Sequence, residues 1–428
     1  MINIKLIREN SELVKENIKK KFQDSKLELV DKIKKLDIDW RNLKQRIDKL
    51  RHERNKISGE IADAKKEKKS VTLLLKTAKQ IPTKIEEIET KAKKLEQQRD
   101  ALLLQIPNLI HESVPIGRDD SENKEIEKIG TPQKFTFQPK NHVELGESLN
   151  VLDFVTSAKT SGSGFYFMKG DLALLNQALI HYAIEKMISK GYSYVETPLM
   201  LKEEVIKNVV DLHDLKNQVY KIESEDLYLI GTSEHSLIGR FIDTILQETE
   251  LPIKNTSYSM CFRKEIGSHG IEEKGIFRNH QFNKVEMVII CHQKDSAKFF
   301  EEAKNITIEI FKSLGIPIRV LEICSGALGD LKHKQFDIEA WSPIKKEYYE
   351  VGSCSNLTDA QARRLKIRAI TKDGERFIPH TINNTAVATS RTLVAVLENY
   401  QQKDGVIKIP TVLQKYMNGK KLIEKLHS

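Results

Sequence analysis

One stretch of this 428-residue chain reads Cys261-Phe262-Arg263-Lys264-Glu265, and a later one reads Gln281-Phe282-Asn283-Lys284-Val285-Glu286-Met287. Between them lies a polar, glycine-containing segment, Ile266 to Arg278. The pattern is that of two strands joined by a loop. Side chains alternate faces along a strand. Arg263 and Glu265 are therefore expected on one face, and so are Phe282, Lys284 and Glu286. If the two faces coincide, a guanidinium, two carboxylates and an aromatic ring share one surface. A planar guanidinium matches phosphate oxygens, and an aromatic face suits a purine base. The same residues also describe a cross-strand ion pair beside an exposed phenylalanine, worth under about 1 kcal/mol. The hairpin alone supports both readings.

Elements around the hairpin must hold it in place. Alternation predicts paired strands over Lys254 to Glu265 and Gln281 to His292. Leu172 to Lys190 reads as an amphipathic helix, Tyr192 to Pro198 as a strand stopped by proline, Glu347 to Ser353 as a strand, and Thr385 to Tyr400 as a helix. Strands dominate the middle with helices around them. The expected class is α+β, with a mainly antiparallel sheet flanked by helices.

Ahead of this domain stand two heptad ladders. The first runs Ile33, Leu36, Trp40, Leu43, Ile47, Leu50, Arg54, Ile57, Ile61, Ala64. The second runs Leu74, Ala78, Ile81, Ile85, Ile88, Ala92, Leu95, Arg99, Leu102, Ile106, Leu109. Steps of three and four residues make the seam of a left-handed coiled coil. Only Lys65 to Leu73 separates them, so the helices must turn back antiparallel within one chain. The first ladder alone projects roughly 47 Å at 1.5 Å per residue. Arg54 and Arg99 interrupt the seams, either as register devices or as contact points. A shorter helical segment, Ile4 to Phe22, precedes the arm, and Ile106-Pro107-Asn108 is expected to end its second helix. The domains expected are a helical arm over 1–110, with its coiled coil at about 27–109, a linker over 111–140, and a catalytic domain over 141–428.

Residues 1–110 hold 28 Lys and Arg against 18 Asp and Glu, a net of +10, while the remainder holds 42 against 43. A basic arm beside a neutral body fits contact with a nucleic-acid backbone. A solvated Lys-rich helical face gives the same count. No apolar stretch approaches the ~20 residues that span a bilayer, so no membrane partner is expected. Cys261, Cys291, Cys324 and Cys354 form no CxxC pair or Cys/His cluster, so neither zinc nor a disulfide framework is expected. Reduced thiols fit a cytoplasmic protein.

Beyond these readings, the residues resemble the seryl-tRNA synthetases, of the class II aminoacyl-tRNA synthetase fold, over essentially the whole chain. Gly191-Tyr192 through Thr197-Pro198-Leu199-Met200 is similar to class II motif 1, which implies a homodimer. Phe262 to Glu265, Arg278 and the run to Glu286 resemble motif 2. Ala388-Thr389-Ser390-Arg391-Thr392 with Leu397-Glu398-Asn399-Tyr400 resembles motif 3. Thr232-Ser233-Glu234, His280 to Met287 and Glu350 to Ser353 point to the serine member.

The resemblance implies the roles. Arg263 and Arg391 are the expected catalytic cations. Arg263 would hold the α-phosphate of ATP, and Arg278 and Arg391 the outer phosphates. Glu265 would accept from the adenine amino group and Phe282 would stack on the ring. Lys264, Asn279, His280, Gln281, Val351 and Gly352 would complete the ATP site. Glu350 and Ser353 would bind Mg²⁺. Thr232, Ser233 and Glu234 would read the amino end of L-serine, with Glu286 and Thr385 reading its hydroxyl. Thr232 also reads as a helix cap, and Arg391 and Glu350 as surface residues. The implied partner of the arm is tRNA(Ser), with tRNA(Sec) a further candidate. Three other readings compete. A synthetase-like binding protein would have lost these site residues. A ligase charging a carrier protein would not need the arm. A purely structural coiled-coil protein would not need the 318 residues after position 110.

Overall fold

The computed structural model describes residues 1–265 and 275–426. The loop residues 266–274, expected to belong to the motif 2 region, lie outside them. The chain divides into two compact units, Ile2–Pro107 and, apart from Met1, Asn108–Ser428.

The first unit is helical. Two short helices, α1 (Ile4–Glu9) and α2 (Ser11–Lys20), occupy the segment expected to be one. Asn10 divides them: it ends the first and caps the second, its side chain accepting from the Leu13 backbone N–H. Two long helices follow, α3 (Leu27–Lys66) and α4 (Thr72–Leu103). The second stops four residues ahead of Pro107, so the proline follows the helix end rather than making it. Ile47, Ile57, Ile81, Ile85, Ile88 and Ala92 form the buried seam, as the heptads require. Forty residues in α3 give a rod of about 60 Å. Arg99 proves to be a register device. It is 7% exposed, lies 4.7 Å over the Trp40 ring, and pairs with the buried Asp37 at 3.2 Å. Asp37 also receives Arg8 at 2.7 Å and Arg41 at 3.1 Å. Burial pushes the Asp37 carboxyl up, but the surrounding guanidinium groups outweigh it and hold the group below its ordinary value. Arg54, by contrast, is exposed.

The second unit is built on an eight-stranded sheet. Its strands are β1 (Lys124–Ile129), β2 (Ser193–Tyr194), β3 (Ile253–Phe262), β4 (Gln281–Cys291), β5 (Ile318–Glu322), β6 (Lys334–Ser342), β7 (Glu347–Thr358) and β8 (His380–Ala388). The order is β1-β5-β6-β7-β8-β4-β3-β2, antiparallel except where the short β2 runs parallel to β3. Two expectations change. The stretch expected as linker supplies an edge strand, β1, paired with β5. Residues expected at the start of the last helix, Thr385 to Ala388, instead finish β8, and α10 (Thr389–Tyr400) begins after them.

Alternation along β4 sets the two sides of the sheet. Val285, Met287, Ile289 and Cys291 enter the main core with α5 (Gly170–Ser189), α8 (Ser296–Ser313) and α10. Val288 and Ile290 face the other way, into a smaller core with α6 (Glu203–Val209) and α7 (Ser233–Gly239). Phe282, Lys284 and Glu286 share the parity of that second side. A one-residue slip of register would bury them in the main core, so the apolar residues between them hold the polar ones in place.

Candidate active site

Arg263 lies one residue past the end of β3, yet it is still held in register. Its backbone N–H donates to the His280 carbonyl at 3.0 Å. Its side-chain Nε donates to the Gly231 carbonyl at 3.2 Å, and its guanidinium carbon lies 5.3 Å from the centre of the Phe282 ring. Cys261 faces Phe282, and Ser259 faces Lys284. Cation and ring therefore share a face, as the pleat predicts. Glu265 arrives differently. Its φ is +47°, in the left-handed region, so the chain has left the strand and alternation no longer applies. Its carboxylate still lines the same cleft, 3.6 Å from the Arg278 guanidinium.

The opposite wall comes from β7 and the first turn of α10. Arg391 Nη1 donates to the Glu350 carbonyl at 2.8 Å and to its Oε2 at 3.0 Å, and its guanidinium carbon stands 5.0 Å from the Phe277 ring centre. An arginine in the first turn of a helix adds a full charge to the positive end of the dipole, an arrangement that favours a bound anion. Burial pushes the Glu350 carboxyl up, but the Arg391 charge and hydrogen bond outweigh it, so the group lies below its ordinary value. Arg263, Glu265, Arg278, Asn279, Phe282, Glu350, Val351, Gly352, Ser353 and Arg391 all line one cavity of about 110 Å³. Asn279 is 3% exposed, and neither of its amide atoms has a partner among the described residues. A Cβ on Gly352 would stand 3.3 Å from the Thr385 carbonyl oxygen, so glycine allows β7 to approach β8 closely here.

The cleft continues into a larger cavity of about 510 Å³ that shares Arg263, Glu350, Ser353 and Arg391 and adds Thr232, Glu234 and Asn383. Thr232 does cap α7, its Oγ1 accepting from the Glu234 N–H at 3.3 Å. The cap and the cavity wall are the same residue. Glu234 follows in the first turn. Burial and the neighbouring Glu286 push its carboxyl up to about 7. Glu286 is wholly buried. It accepts from Thr385 Oγ1 at 3.0 Å and Asn383 Nδ2 at 3.1 Å, and it pairs with Lys284. It thus stands behind Lys284, Asn383 and Thr385, which themselves line the cavity.

Four other expected site residues point elsewhere. Ser233 is fully buried, donating to the Ser257 carbonyl. Lys264 Nζ lies 5.8 Å over the Tyr220 ring. His280 has Nδ1 2.7 Å from the Tyr220 hydroxyl and stacks on Phe165. Gln281 is exposed, its amide against the Met260 sulfur. Lys284, Asn383 and Phe277 were not expected in the cleft. Lys284 carries the alternation signal of Phe282 and Glu286, and Asn383 stands two residues from Thr385 on one strand. Phe277 carries no signal in the sequence. Among the described residues no group of three or more His, Cys, Asp or Glu is placed to hold a metal.

Comparison with known proteins points to one family. A family model of the class II tRNA synthetase core domain (G, H, P, S and T) matches residues 219–400, and one of the seryl-tRNA synthetase N-terminal domain matches residues 1–110. The serine–tRNA ligase of Methanospirillum hungatei is 43% identical over 99% of this chain and the whole of the relative. That of Thermoplasma acidophilum is 42% identical at the same coverage. The crystal structure of seryl-tRNA synthetase from Pyrococcus horikoshii complexed with ATP superposes with a TM-score of 0.93 at 41% identity, covering all of both chains. The cytoplasmic serine–tRNA ligase of Naegleria fowleri in complex with AMP gives 0.88 at 34%, covering 100% of this chain and 99% of that one.

Proposed function

The chain belongs to the seryl-tRNA synthetases, and we propose from that premise that its cleft activates L-serine with ATP and then esterifies the 3′ end of tRNA(Ser). In the first step a serine carboxylate oxygen attacks the α-phosphorus. The bond from that phosphorus to the bridging oxygen of the β-phosphate breaks, and pyrophosphate leaves. In the second step a hydroxyl of the terminal tRNA ribose attacks the seryl carbonyl carbon, and AMP departs with the carbon–oxygen bonding pair.

The Arg263 guanidinium, 5.3 Å from the centre of the Phe282 ring, supports a role in binding the α-phosphate of a nucleotide whose base stacks on that ring. Negative charge spreads over phosphate oxygens as the attack proceeds, so a fixed cation there stabilises the transition state. Arg278 and Arg391 take the outer phosphates, and Glu265 takes the adenine amino group. The Glu350 carboxylate and Ser353 hydroxyl fit Mg²⁺. They are two hard oxygen donors lining one cavity, and the Asp337 carboxylate, opposite Ser353 across the β6–β7 pairing, lines the adjoining cavity with them, so phosphate oxygens and water would complete the shell. When bound, the ion supplies neutralisation of polyphosphate charge.

Thr232 and Glu234 receive the serine ammonium, and Thr385 receives its hydroxyl with Glu286 fixing the Thr385 side chain from behind. A site that hydrogen-bonds a hydroxyl rejects alanine because its own polar groups would be left unpaired, a factor of about 10⁴ or more. The single observation carrying this reading is the continuous cleft. Arg263, Phe282, Glu350, Ser353 and Arg391 line one end, Thr232 and Glu234 line the other, and Thr385 lines both. Serine-dependent ATP–pyrophosphate exchange, run against threonine, alanine and glycine, tests it. Exchange with serine alone is expected, and absence of exchange with serine overturns the reading.

The basic arm is proposed to hold the tRNA, supported by its net charge of +10. A homodimer through the region around Leu172 to Pro198, the helix leading into motif 1, is proposed as well. Leu174 and Ile188, fourteen residues apart on one face of α5, are 56% and 54% exposed, which supports a covering partner. The four cysteines are buried and unpaired, which supports the cytoplasm. Among the described residues no helix is long and apolar enough to cross a membrane.

A further inference from the structure

Behind the amino-acid end of the cleft, a buried amide links three segments of the body. Gln361 lies in α9 (Ala360–Arg364) and is 1% exposed. Its Nε2 donates to Glu234 Oε1 at 2.7 Å and reaches the Val209 carbonyl, at the end of α6, at 3.5 Å. Its Oε1 accepts from Thr381 Oγ1 on β8 at 2.9 Å. Gln361 itself does not line the cavity, whereas Glu234 does.

We propose that Gln361 is a positioning residue for amino-acid selection: its amide fixes the Glu234 carboxylate in the orientation that receives the substrate ammonium. The proposal rests on the reading of Glu234 given above and goes beyond it to a residue outside the cleft. The Glu234 carboxylate and the Val209 carbonyl, which can only accept, set which way the amide points, and the Thr381 hydroxyl holds its other end. With that hydroxyl donating to Oε1, the N–H end faces Glu234, and a flipped amide would set oxygen against carboxylate. Glu234 needs such a donor. The charged groups facing it are Glu286 and Lys284 on β4 and Lys332 ahead of β6. Glu286 works against a second negative charge, and burial works against any charge at all. A hydrogen bond to the ionised form is the local compensation, and Gln361 supplies it.

The experiment compares the full-length chain with Gln361→Met, which keeps length and removes the amide, in serine-dependent ATP–pyrophosphate exchange across pH. Removing a donor that favours the ionised form raises the pKa of Glu234. The expected result is a KM for serine raised on the order of tenfold at neutral pH, with kcat little changed. The midpoint of the pH dependence of that KM should move upward, so alkaline pH restores binding. Thr381→Val, which leaves the amide oxygen without its donor and loosens the amide, should give a smaller change in the same direction, and it decides the question if Gln361→Met does not fold. A serine KM unchanged in the folded variants overturns the proposal. So does a raised KM whose pH midpoint stays put, since packing damage alone would give that. Absence of exchange in the unsubstituted chain would instead sink the serine reading itself.

Discussion

Arg391 holds Glu350 twice from one nitrogen, through the backbone oxygen at 2.8 Å and the carboxylate at 3.0 Å. The pair joins the first turn of α10 to β7, two segments 41 residues apart in sequence. It keeps a guanidinium and an ionised carboxylate side by side without a ligand. Under the proposed reading, a polyphosphate entering this end of the cleft meets a cation already oriented. Preorganisation of this kind lowers the reorganisation needed at the transition state.

Arg263→Ala is expected to leave the fold intact and to reduce serine-dependent exchange by on the order of 10²-fold or more. Its guanidinium is only partly buried and donates to the Gly231 carbonyl, so its loss costs the core little. Circular dichroism and exchange kinetics check both halves. Normal exchange in a folded variant would remove Arg263 from the mechanism.

Serine binding should depend on pH near neutrality. Burial and Glu286 push Glu234 up to about 7, against an ordinary glutamate value of about 4.3. The carboxylate that pairs with the ammonium is present above that value and is lost as pH falls through it. KM for serine is therefore expected to rise about tenfold for each pH unit well below 7. A KM that stays flat between about pH 8 and pH 5 contradicts the role given to Glu234.

The arm has its own point of vulnerability. Asp37 is 1% exposed and serves Arg8, Arg41 and Arg99 together. Asp37→Ala leaves Arg99 with Asp100 at 2.8 Å and Glu96 at 3.7 Å but takes the shared buried carboxylate from Arg8, Arg41 and Arg99, at a cost of about 1–3 kcal/mol. The helical signal should melt at lower temperature, while exchange activity below that transition is unchanged. An unaltered melting curve would show that the cluster contributes nothing to the arm.

Oligomeric state is readable from two side chains. Leu174→Arg with Ile188→Arg places charge on the exposed face of α5, and sedimentation should shift from dimer to monomer. If the unsubstituted chain is already a fully active monomer at every concentration, the dimer proposal fails.

Deletion of about residues 30–103 should spare serine activation and cripple tRNA charging. Activation draws on residues of the second unit alone, which holds 42 basic and 43 acidic residues beyond position 110. Charging should lose affinity steeply with salt in the full chain, through counterion release, and the deletion should flatten that dependence. Equal charging by both proteins, or a parallel loss of exchange, would refute the role of the arm.

The sequence by itself determined whatever depends on periodicity. Heptad steps fixed the two arm helices and their antiparallel turn, because a seam must face a partner and the turn is too short for any other. Period-two alternation put Phe282 and Lys284 on the cleft side of β4 and Val285 and Met287 in the core, because the pleat leaves no alternative. Only the tertiary structure decided what depends on where the chain leaves its regular elements or meets a distant one. Glu265 reaches the cleft through a left-handed backbone turn, which alternation cannot describe. Thr385 belongs to a strand rather than a helix because it pairs with Glu286 of β4 and continues the strand whose Asn384 pairs with Cys354 of β7. Ser233, Lys264 and His280 turn away because neighbouring carbonyls and rings engage them first. Gln361 meets Glu234 across 127 residues, a separation over which local residue patterns carry no information, since the contact exists only once α6, α7, α9 and β8 have packed together.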